Sequence, residues 1–196
     1  EKGNLPDLIT LDDIRGDLHM HTPETDGKST IAELAAGAKH LGYEYIAITD
    51  HSKRVSMANG LTADRLSKHI DKIQEENDKA EVYILSGIEA DILKDGSLDL
   101  PDEILSRLDV VVASVHYDTN ISETQMTDRF LKAIDNPVVS IIGHPTGRLI
   151  GQRDPYDVDL SRVFKHAADA GVAVEFRDLA AHLAYALEQA QADASR

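Results

Sequence analysis

Five of the nine histidines stand where short strand-like runs of the sequence end, and a glutamate ends a further run. Imidazole nitrogen and carboxylate oxygen are ligands that divalent metal ions accept. Because side chains alternate along a strand, His19 and His21 point to the same side and can hold one cation together. Repetition at several strand ends predicts a metal site. The ends are His19-Met20-His21, Thr49-Asp50-His51, Glu89, His116 and Gly143-His144.

Three acidic residues near these ends are candidate partners of the histidines. Asp26 lies in the loop from Thr22 to Lys28 and can fold back as an oxygen ligand, although Asp-Gly alone is typical of a turn. Glu89 ends an apolar run, where its charge requires compensation, either from two bridged cations or from a salt bridge to lysine or arginine. Asp50 is interpreted either as a ligand or as a residue that orients an imidazole.

Basic residues flank the same segments. A guanidinium can contact two phosphate oxygens at once, so Arg148 is a candidate for holding a phosphate group. Arg15, Lys53 and Arg54 are weaker candidates, since exposed basic residues near loops are common. The remaining histidines lie in helical stretches, where they are interpreted as solvated or packed and are left out of the site; they are His40, His69, His166 and His182.

The elements that must position these residues alternate between β-branched runs and longer amphipathic stretches, which predicts an α/β fold. The carboxyl ends of parallel strands meet on one rim, so side chains distant in sequence are expected to meet there. A partial or distorted barrel is preferred to an open sheet. The predicted strands are Leu18 to His21, Tyr45 to Thr49, Val82 to Ile88, Val110 to Val115, Val138 to Ile142 and Val172 to Phe176. The first predicted helix is capped by Ser29 or Thr30, with Glu33 placed for a capping box, and runs to about Leu41. The other predicted helices run from Ala63 to Asp78, from Pro101 over a short distance, from Glu123 to Ile134 and from Leu160 to Ala170, where Gly171 ends the helix.

Length and composition set further limits. The 196 residues fit one domain, with residues 1–14 as a lead-in and residues 177–196 as a divergent, helical tail. The chain has no cysteine, which excludes disulfides and thiolate metal sites. A formal net charge of −15 opposes non-specific attraction to nucleic acid. No apolar run is long enough to cross a membrane and no secretion signal is seen, so a cytoplasmic location is expected.

Five segments together resemble the polymerase-and-histidinol-phosphatase (PHP) family, and most closely the PHP domain that follows the polymerase module in bacterial family X DNA polymerases. The resemblance extends from about Leu5 to Glu175. The segments are Gly16-Asp17-Leu18-His19-Met20-His21-Thr22, Ala47-Ile48-Thr49-Asp50-His51-Ser52, Gly87-Ile88-Glu89-Ala90-Asp91, Ala113-Ser114-Val115-His116 and Gly143-His144-Pro145-Thr146-Gly147-Arg148.

This resemblance implies a distorted barrel of the (β/α)7 type that holds up to three zinc, manganese or iron ions. By the resemblance, His19, His21 and Glu89 hold one ion. Asp26 and His51 hold a second, and the third lies with His116, His144 and the bridging Glu89. The family places an Asp-x-His motif on a late strand, and the sequence after His144 lacks it. The barrel is therefore expected to be incomplete at its carboxyl end.

The resemblance further implies an enzyme that hydrolyses phosphate esters with a metal-activated water. For this subfamily it implies 3′-to-5′ exonuclease or 3′-phosphatase activity on DNA 3′ ends, with a polymerase domain as a partner. A small-molecule phosphatase of the histidinol-phosphate type is an alternative that suits the acidic surface better. A catalytically weakened, metal-stabilised module of a DNA polymerase is a third reading, favoured by the missing Asp-x-His motif. The sequence does not predict an oligomeric state.

Overall fold

The computed structural model describes residues 9–148 and 151–175. The chain divides into two compact units, one made of Glu1–Ile88 and Asp102–Val110 and the other of Glu89–Pro101 and Val111–Arg196. The predicted helical tail of residues 177–196 and the first eight residues of the lead-in lie outside the described residues. No helix among the described residues combines the length and the apolar character needed to cross a membrane.

The first unit is built on parallel strands joined by helical crossovers. Strand β1 (Gly16–Met20) pairs with β2 (Tyr45–Ile48), and β2 pairs with the first part of β3 (Tyr83–Asp91). Helix α1 (Ile31–His40) connects β1 to β2, and α2 (Ala63–Asn77) connects β2 to β3. The short helix α3 (Asp102–Leu105) also belongs to this unit. These repeated strand–helix–strand units confirm the predicted α/β class.

Local sequence explains where α1 begins and which face it buries. The Thr30 side chain accepts a hydrogen bond from the backbone N–H of Glu33, and the Glu33 carboxylate accepts one from the backbone N–H of Thr30, so the predicted capping box is present. Ile31, Ala35 and Ala38 follow at helical spacing and are buried against the sheet. Their packing partners include Ile46 and Ile48 of β2, so the middle strand of the unit lies in its core.

The second unit contains the end of β3, followed by β4 (Val110–Ser114), β5 (Ile141–Ile142) and β6 (Ala173–Val174). Strand β5 pairs in parallel with both β4 and β6. Helix α4 (Glu123–Ile134) precedes β5, and α5 (Leu160–Ala170) precedes β6 and contacts α4. Gly171 ends α5 in the left-handed conformation, with φ of 73°, as its position in the sequence predicts.

All six predicted strands are found, with shifted ends. Strand β3 continues three residues beyond Ile88 to Asp91 and carries two charged side chains into the interior. Strand β5 is shorter than predicted, since it begins only at Ile141. Before it, the backbone N–H groups of Val138 and Val139 donate to the side chain and the carbonyl of Asn136, so these two valines form a turn instead of strand.

Candidate metal centre

In the first unit, three predicted ligands lie together. The Nδ1 atom of His21 is 3.3 Å from one oxygen of Asp26, and the Nε2 atom of His51 is 3.6 Å from the other. One ligand atom from each residue lies within 4.8 Å of the others, which is a suitable spacing for a shared ion. The ring of His19 stacks on His21 with 5.3 Å between centroids, as the same-side placement of the pair requires. We call His21, Asp26 and His51 the first ligand group.

The fold positions this group through two strand ends and one tight turn. His21 directly follows the end of β1, and His51 follows β2 at a distance of three residues. The chain then turns back because the N–H groups of Thr25 and Gly27 both donate to the carbonyl of Thr22. A Cβ atom at position 27 would collide with the carbonyl of His21, so glycine is required there. The turn leaves the Asp26 side chain 52% exposed beside the two imidazoles.

Asp50 lies behind the turn, is fully buried, and contacts residues of the first unit. One oxygen accepts from the Thr22 N–H at 2.8 Å and from the Thr25 hydroxyl. The other accepts from the Thr22 hydroxyl at 2.7 Å and lies 2.9 Å from Nε2 of His69. Burial raises the pKa of Asp50, but these hydrogen bonds outweigh it and hold the pKa below its ordinary value. The geometry favours the orienting role for Asp50, and the imidazole it contacts is that of His69.

In the second unit, Glu89 is the centre of a second ligand group. Its side chain is 1% exposed, and its Oε1 lies 2.8 Å from Nε2 of His144 and 3.4 Å from Nε2 of His116. Asp91, two residues further along β3, lies 3.0 Å from Nδ1 of His116 and also accepts the backbone N–H of His116. Burial lowers the pKa of His116, but the carboxylates of Asp91 and Glu89 outweigh it and raise the pKa to about 9.

His144 is fixed in this second ligand group by one further contact, which its backbone makes. It follows β5 by two residues and has a positive φ of 25°, which is strained for a residue with a side chain. Its backbone N–H donates to the carboxylate of Glu175, which follows directly after β6, at 2.8 Å. The strained backbone is thus held by a charge-assisted hydrogen bond from the neighbouring strand end.

Both groups fit a divalent metal on the chemistry of their donors. His116 faces a carboxylate at each ring nitrogen, and it can donate to both only when it is protonated. A cation held by His116 and Glu89 would replace that proton, while Asp91 would keep the Nδ1 proton in place, which is the usual arrangement of a carboxylate behind a ligating histidine. The low exposure of Glu89 makes a positive partner necessary in either state.

The other predicted site residues are placed as follows. Arg148 is exposed at the end of the segment that follows His144, and its backbone N–H donates to Thr146. Its contact with phosphate stays a prediction, as do those of the exposed Lys53 and the half-buried Arg54. The prediction that Arg15 lies at the site is wrong. Arg15 precedes β1, at the opposite end of the strand from His19, and pairs with Glu44 at 2.6 Å. The ion expected between His19, His21 and Glu89 draws on both units and stays a prediction.

Three residues that the sequence interpretation left out of the site contact it. His69 is one, and nothing in its helical surroundings points to Asp50, which lies nineteen positions earlier. Asp91 and Glu175 are the others. Both could have been found by the rule that identified Glu89, since Asp91 ends β3 and Glu175 follows the end of β6.

Comparison with known proteins agrees with this geometry. The family model described as PHP domain matches residues 17–190, and the chain therefore belongs to the PHP family. Membership confirms the predicted resemblance.

The similar proteins are of two kinds. The DNA polymerase/3′-5′ exonuclease PolX of Bacillus subtilis (strain 168) is 44% identical over 170 residues, which are 86% of this chain and 30% of that protein. A probable phosphatase of Thermoanaerobacter sp. (strain X514) is 33% identical over 168 residues, 83% of this chain and 64% of the relative. A probable phosphatase of Caldicellulosiruptor saccharolyticus is 32% identical over 165 residues, which are 82% of this chain and 64% of that protein. The chain thus spans less than two thirds of each relative.

Proposed function

We propose that this chain hydrolyses phosphate esters at the two ligand groups, and that its substrate is a DNA 3′ end, from which it removes nucleotides as a 3′-to-5′ exonuclease or a phosphate as a 3′-phosphatase. The observation that carries the proposal is the buried carboxylate of Glu89 between the Nε2 atoms of His144 and His116. A buried acid with two imidazoles at the ends of parallel strands suits a metal-dependent hydrolase better than a structural role, since a purely structural interior would be apolar at lower cost.

Divalent cations, when bound, supply positive charge to the phosphate oxygens and lower the pKa of the attacking water. Up to three ions of zinc, manganese or iron are proposed, because imidazole and carboxylate donors without thiolate suit all three metals. The ligands proposed are His19, His21, Asp26, His51, Glu89, His116 and His144.

The side chains of the chain divide the remaining work. Asp91 accepts a hydrogen bond from Nδ1 of His116, which leaves Nε2 of the same ring facing Glu89, and His116 and Glu89 would hold a cation together. Asp26, whose side chain is half exposed, lies where a substrate can approach the first ligand group. Arg148 is exposed after the His144 segment, and its guanidinium is proposed to orient the ester through two phosphate oxygens. No covalent protein nucleophile is needed.

The choice of DNA rests on the likeness to the polymerase and exonuclease relative, whose identity of 44% exceeds the 33% of the phosphatase relative over nearly the same length. The net charge of −15 repels a polyanion, so a polymerase domain is proposed as the partner that helps to hold DNA.

A small-molecule phosphatase of the histidinol-phosphate type is the second candidate. The acidic surface suits a small ester better than a nucleic acid, and two of the relatives are named probable phosphatases. The third candidate, a catalytically weakened module that a metal stabilises, is favoured by the missing Asp-x-His motif after His144.

One set of assays separates the three candidates. The chain loaded with Mn²⁺ or Zn²⁺ is given single-stranded DNA, DNA carrying a 3′-phosphate, and histidinol phosphate. If the substrate is DNA, nucleotides or phosphate should be released from the two DNA substrates with a higher kcat/KM than phosphate is released from histidinol phosphate. A higher kcat/KM for histidinol phosphate would favour the second candidate instead. If no substrate is hydrolysed while chelator lowers the Tm, the third candidate holds.

Variants connect any activity found to the proposed ligands. Glu89→Gln and His116→Ala should abolish it and reduce the metal content. His166→Ala is the matched control, because His166 is a histidine on α5 that pairs with Asp135 and is no proposed ligand. Unchanged metal content in His116→Ala, with no ester hydrolysed by the parent chain, would end the phosphoesterase proposal.

A further inference from the structure

Three side chains on one face of α2 contact the segment that carries Asp26 or its support. Arg65 donates to the carbonyl of Glu24 at 2.8 Å, and Lys72 donates to the Glu24 carboxylate at 2.8 Å. His69 lies 2.9 Å from the Asp50 oxygen that also accepts the Thr22 hydroxyl. Positions 65, 69 and 72 are spaced by four and three residues, so the helix presents them on one side. Helix α2 therefore contacts the turn at Glu24 and the support of the turn at Asp50.

His69 provides the buried contact of the three. Its side chain and that of Asp50 are almost completely buried, whereas Arg65 and Lys72 are partly exposed. Contacts between charged groups that exclude water are stronger and more directional than exposed ones, so the His69–Asp50 pair has most influence on geometry. The Nδ1 atom of His69 is buried without a hydrogen-bond partner among the described residues, so Nε2, toward Asp50, is the nitrogen that makes a polar contact.

The helix that carries His69 is itself firmly packed. Leu66 and Ile73, which flank His69 on α2, are buried in the first unit. The Thr62 side chain caps the start of the helix by accepting from the N–H of Arg65. The backbone of such a helix is held in place by its packing. A side chain that it carries is therefore well suited to hold a loop that would otherwise move.

We propose that His69 is a positioning residue for the first ligand group. Through Asp50 it fixes Thr22 and Thr25, and these residues shape the turn that brings Asp26 to His21 and His51. Without His69, one buried oxygen of Asp50 loses a partner and the turn loses part of its support, so Asp26 samples positions away from the imidazoles. The inference rests on the proposed function in one respect: a cation is expected at this ligand group.

Amide hydrogen exchange tests the positioning directly, with and without Mn²⁺. The variant His69→Asn has an amide too short to reach Asp50, whereas the amide of His69→Gln can replace the Nε2 donor. We expect the N–H groups of Thr22, Thr25 and Gly27 to exchange about tenfold faster or more in His69→Asn. His69→Gln should restore most of the protection, a rescue that simple loss of packing would not give.

Metal affinity is the second measurement. Titration with Mn²⁺ should show affinity about 10–100-fold weaker at one class of sites in His69→Asn, the usual effect of removing a group that orients ligands. The matched control is His166→Asn, since His166 on α5 makes a similar pair with Asp135 at 2.7 Å but is exposed. It should leave both the turn and the metal affinity unchanged.

The outcomes separate this inference from the proposed function. Unchanged exchange at the turn in folded His69→Asn overturns the inference, and so does a uniform acceleration across the first unit, which indicates general destabilisation. If the parent chain binds none of Mn²⁺, Zn²⁺ and Fe²⁺, the proposed function fails, and exchange at Thr22, Thr25 and Gly27 in metal-free protein still decides whether His69 positions the turn. If His69→Asn does not fold, Thr25→Val removes one Asp50 contact and must give the same local acceleration.

Discussion

Replacing Asp91 by asparagine isolates the effect of one buried carboxylate on the histidine of the second ligand group. In metal-free protein, the pKa of His116 rises from 6.5 to about 9 because Asp91 and Glu89 outweigh the effect of burial. A rise of this size corresponds to about 3 kcal/mol of extra stabilisation of the protonated form in the folded state. The hydrogen bond to Asp91 is the largest of the contributions that raise the pKa of His116. Asp91→Asn should therefore remove about half of this energy or more, roughly 1.5–2 kcal/mol.

The sign of the pH dependence follows from the raised pKa. A group whose pKa is higher in the folded state stabilises the protein below the pKa of the unfolded chain, near 6.5, and that contribution is lost as pH rises through about 9. Urea unfolding of metal-free protein in chelator should therefore show a free energy of unfolding that falls across this range. In Asp91→Asn the fall should be about half as large, and NMR titration should place the pKa of His116 closer to its ordinary value.

The matched control makes the same chemical change at an exposed pair. Asp135 lies 2.7 Å from His166, and Asp135→Asn should leave the slope between pH 6.5 and 9 close to that of the parent, because exposed ion pairs contribute little. The reasoning is refuted if Asp91→Asn retains the full slope, or if the pKa of His116 in that variant stays near 9.

Three further predictions concern the ligand groups and the fold. Asp26→Asn should weaken binding of Mn²⁺ in a calorimetric titration, while the Tm in chelator stays near that of the parent, since the Asp26 side chain is half exposed; a large fall of Tm would count against a ligand role. Gly27→Ala should lower both metal affinity and Tm, because the new Cβ collides with the carbonyl of His21; unchanged values would show that the turn adjusts freely. Thr30→Ala should lower the free energy of unfolding by about 1 kcal/mol in urea denaturation through loss of the α1 cap, with metal stoichiometry unchanged.

The sequence predicted those features that depend on neighbours along the chain. Thr30 with Glu33, and Gly171 after α5, are local signals for the ends of helices, and the structure has both. The alternation of runs also predicted the α/β class and all six strands. Strand ends were harder, because the apolar pattern stops at Ile88, while β3 continues through Glu89 and Asp91. Their charges are tolerated in the interior because His116 and His144 lie against them, and hydropathy alone cannot show such partners.

Contacts between distant elements explain the rest of the differences. His69 was interpreted as a solvated or packed side chain, because its helix gives no local sign of the carboxylate behind the turn. Arg15 was expected near the site because it is close to His19 in sequence. A strand separates its two ends by about 3.3 Å per residue, however, and Arg15 lies before the first residue of β1. Closeness in sequence is therefore a poor guide to closeness in space within a strand.

The placement of Glu89 and Asp91 links metal binding to folding. Both carboxylates are buried on the same strand, and each needs a positive partner that the imidazole of His116 can provide only while it is protonated. At pH values above the pKa of His116, that proton is lost, and a metal ion would then supply positive charge beside Glu89 in its place. When the pH is below the pKa of His116, metal binding should release a proton from this histidine. When the pH is above that pKa, no proton has to be released and the bound metal should stabilise the fold more strongly. The stabilisation by Mn²⁺ or Zn²⁺ is thus expected to increase with pH, as it does where protons and a metal ion compete for the same ligands.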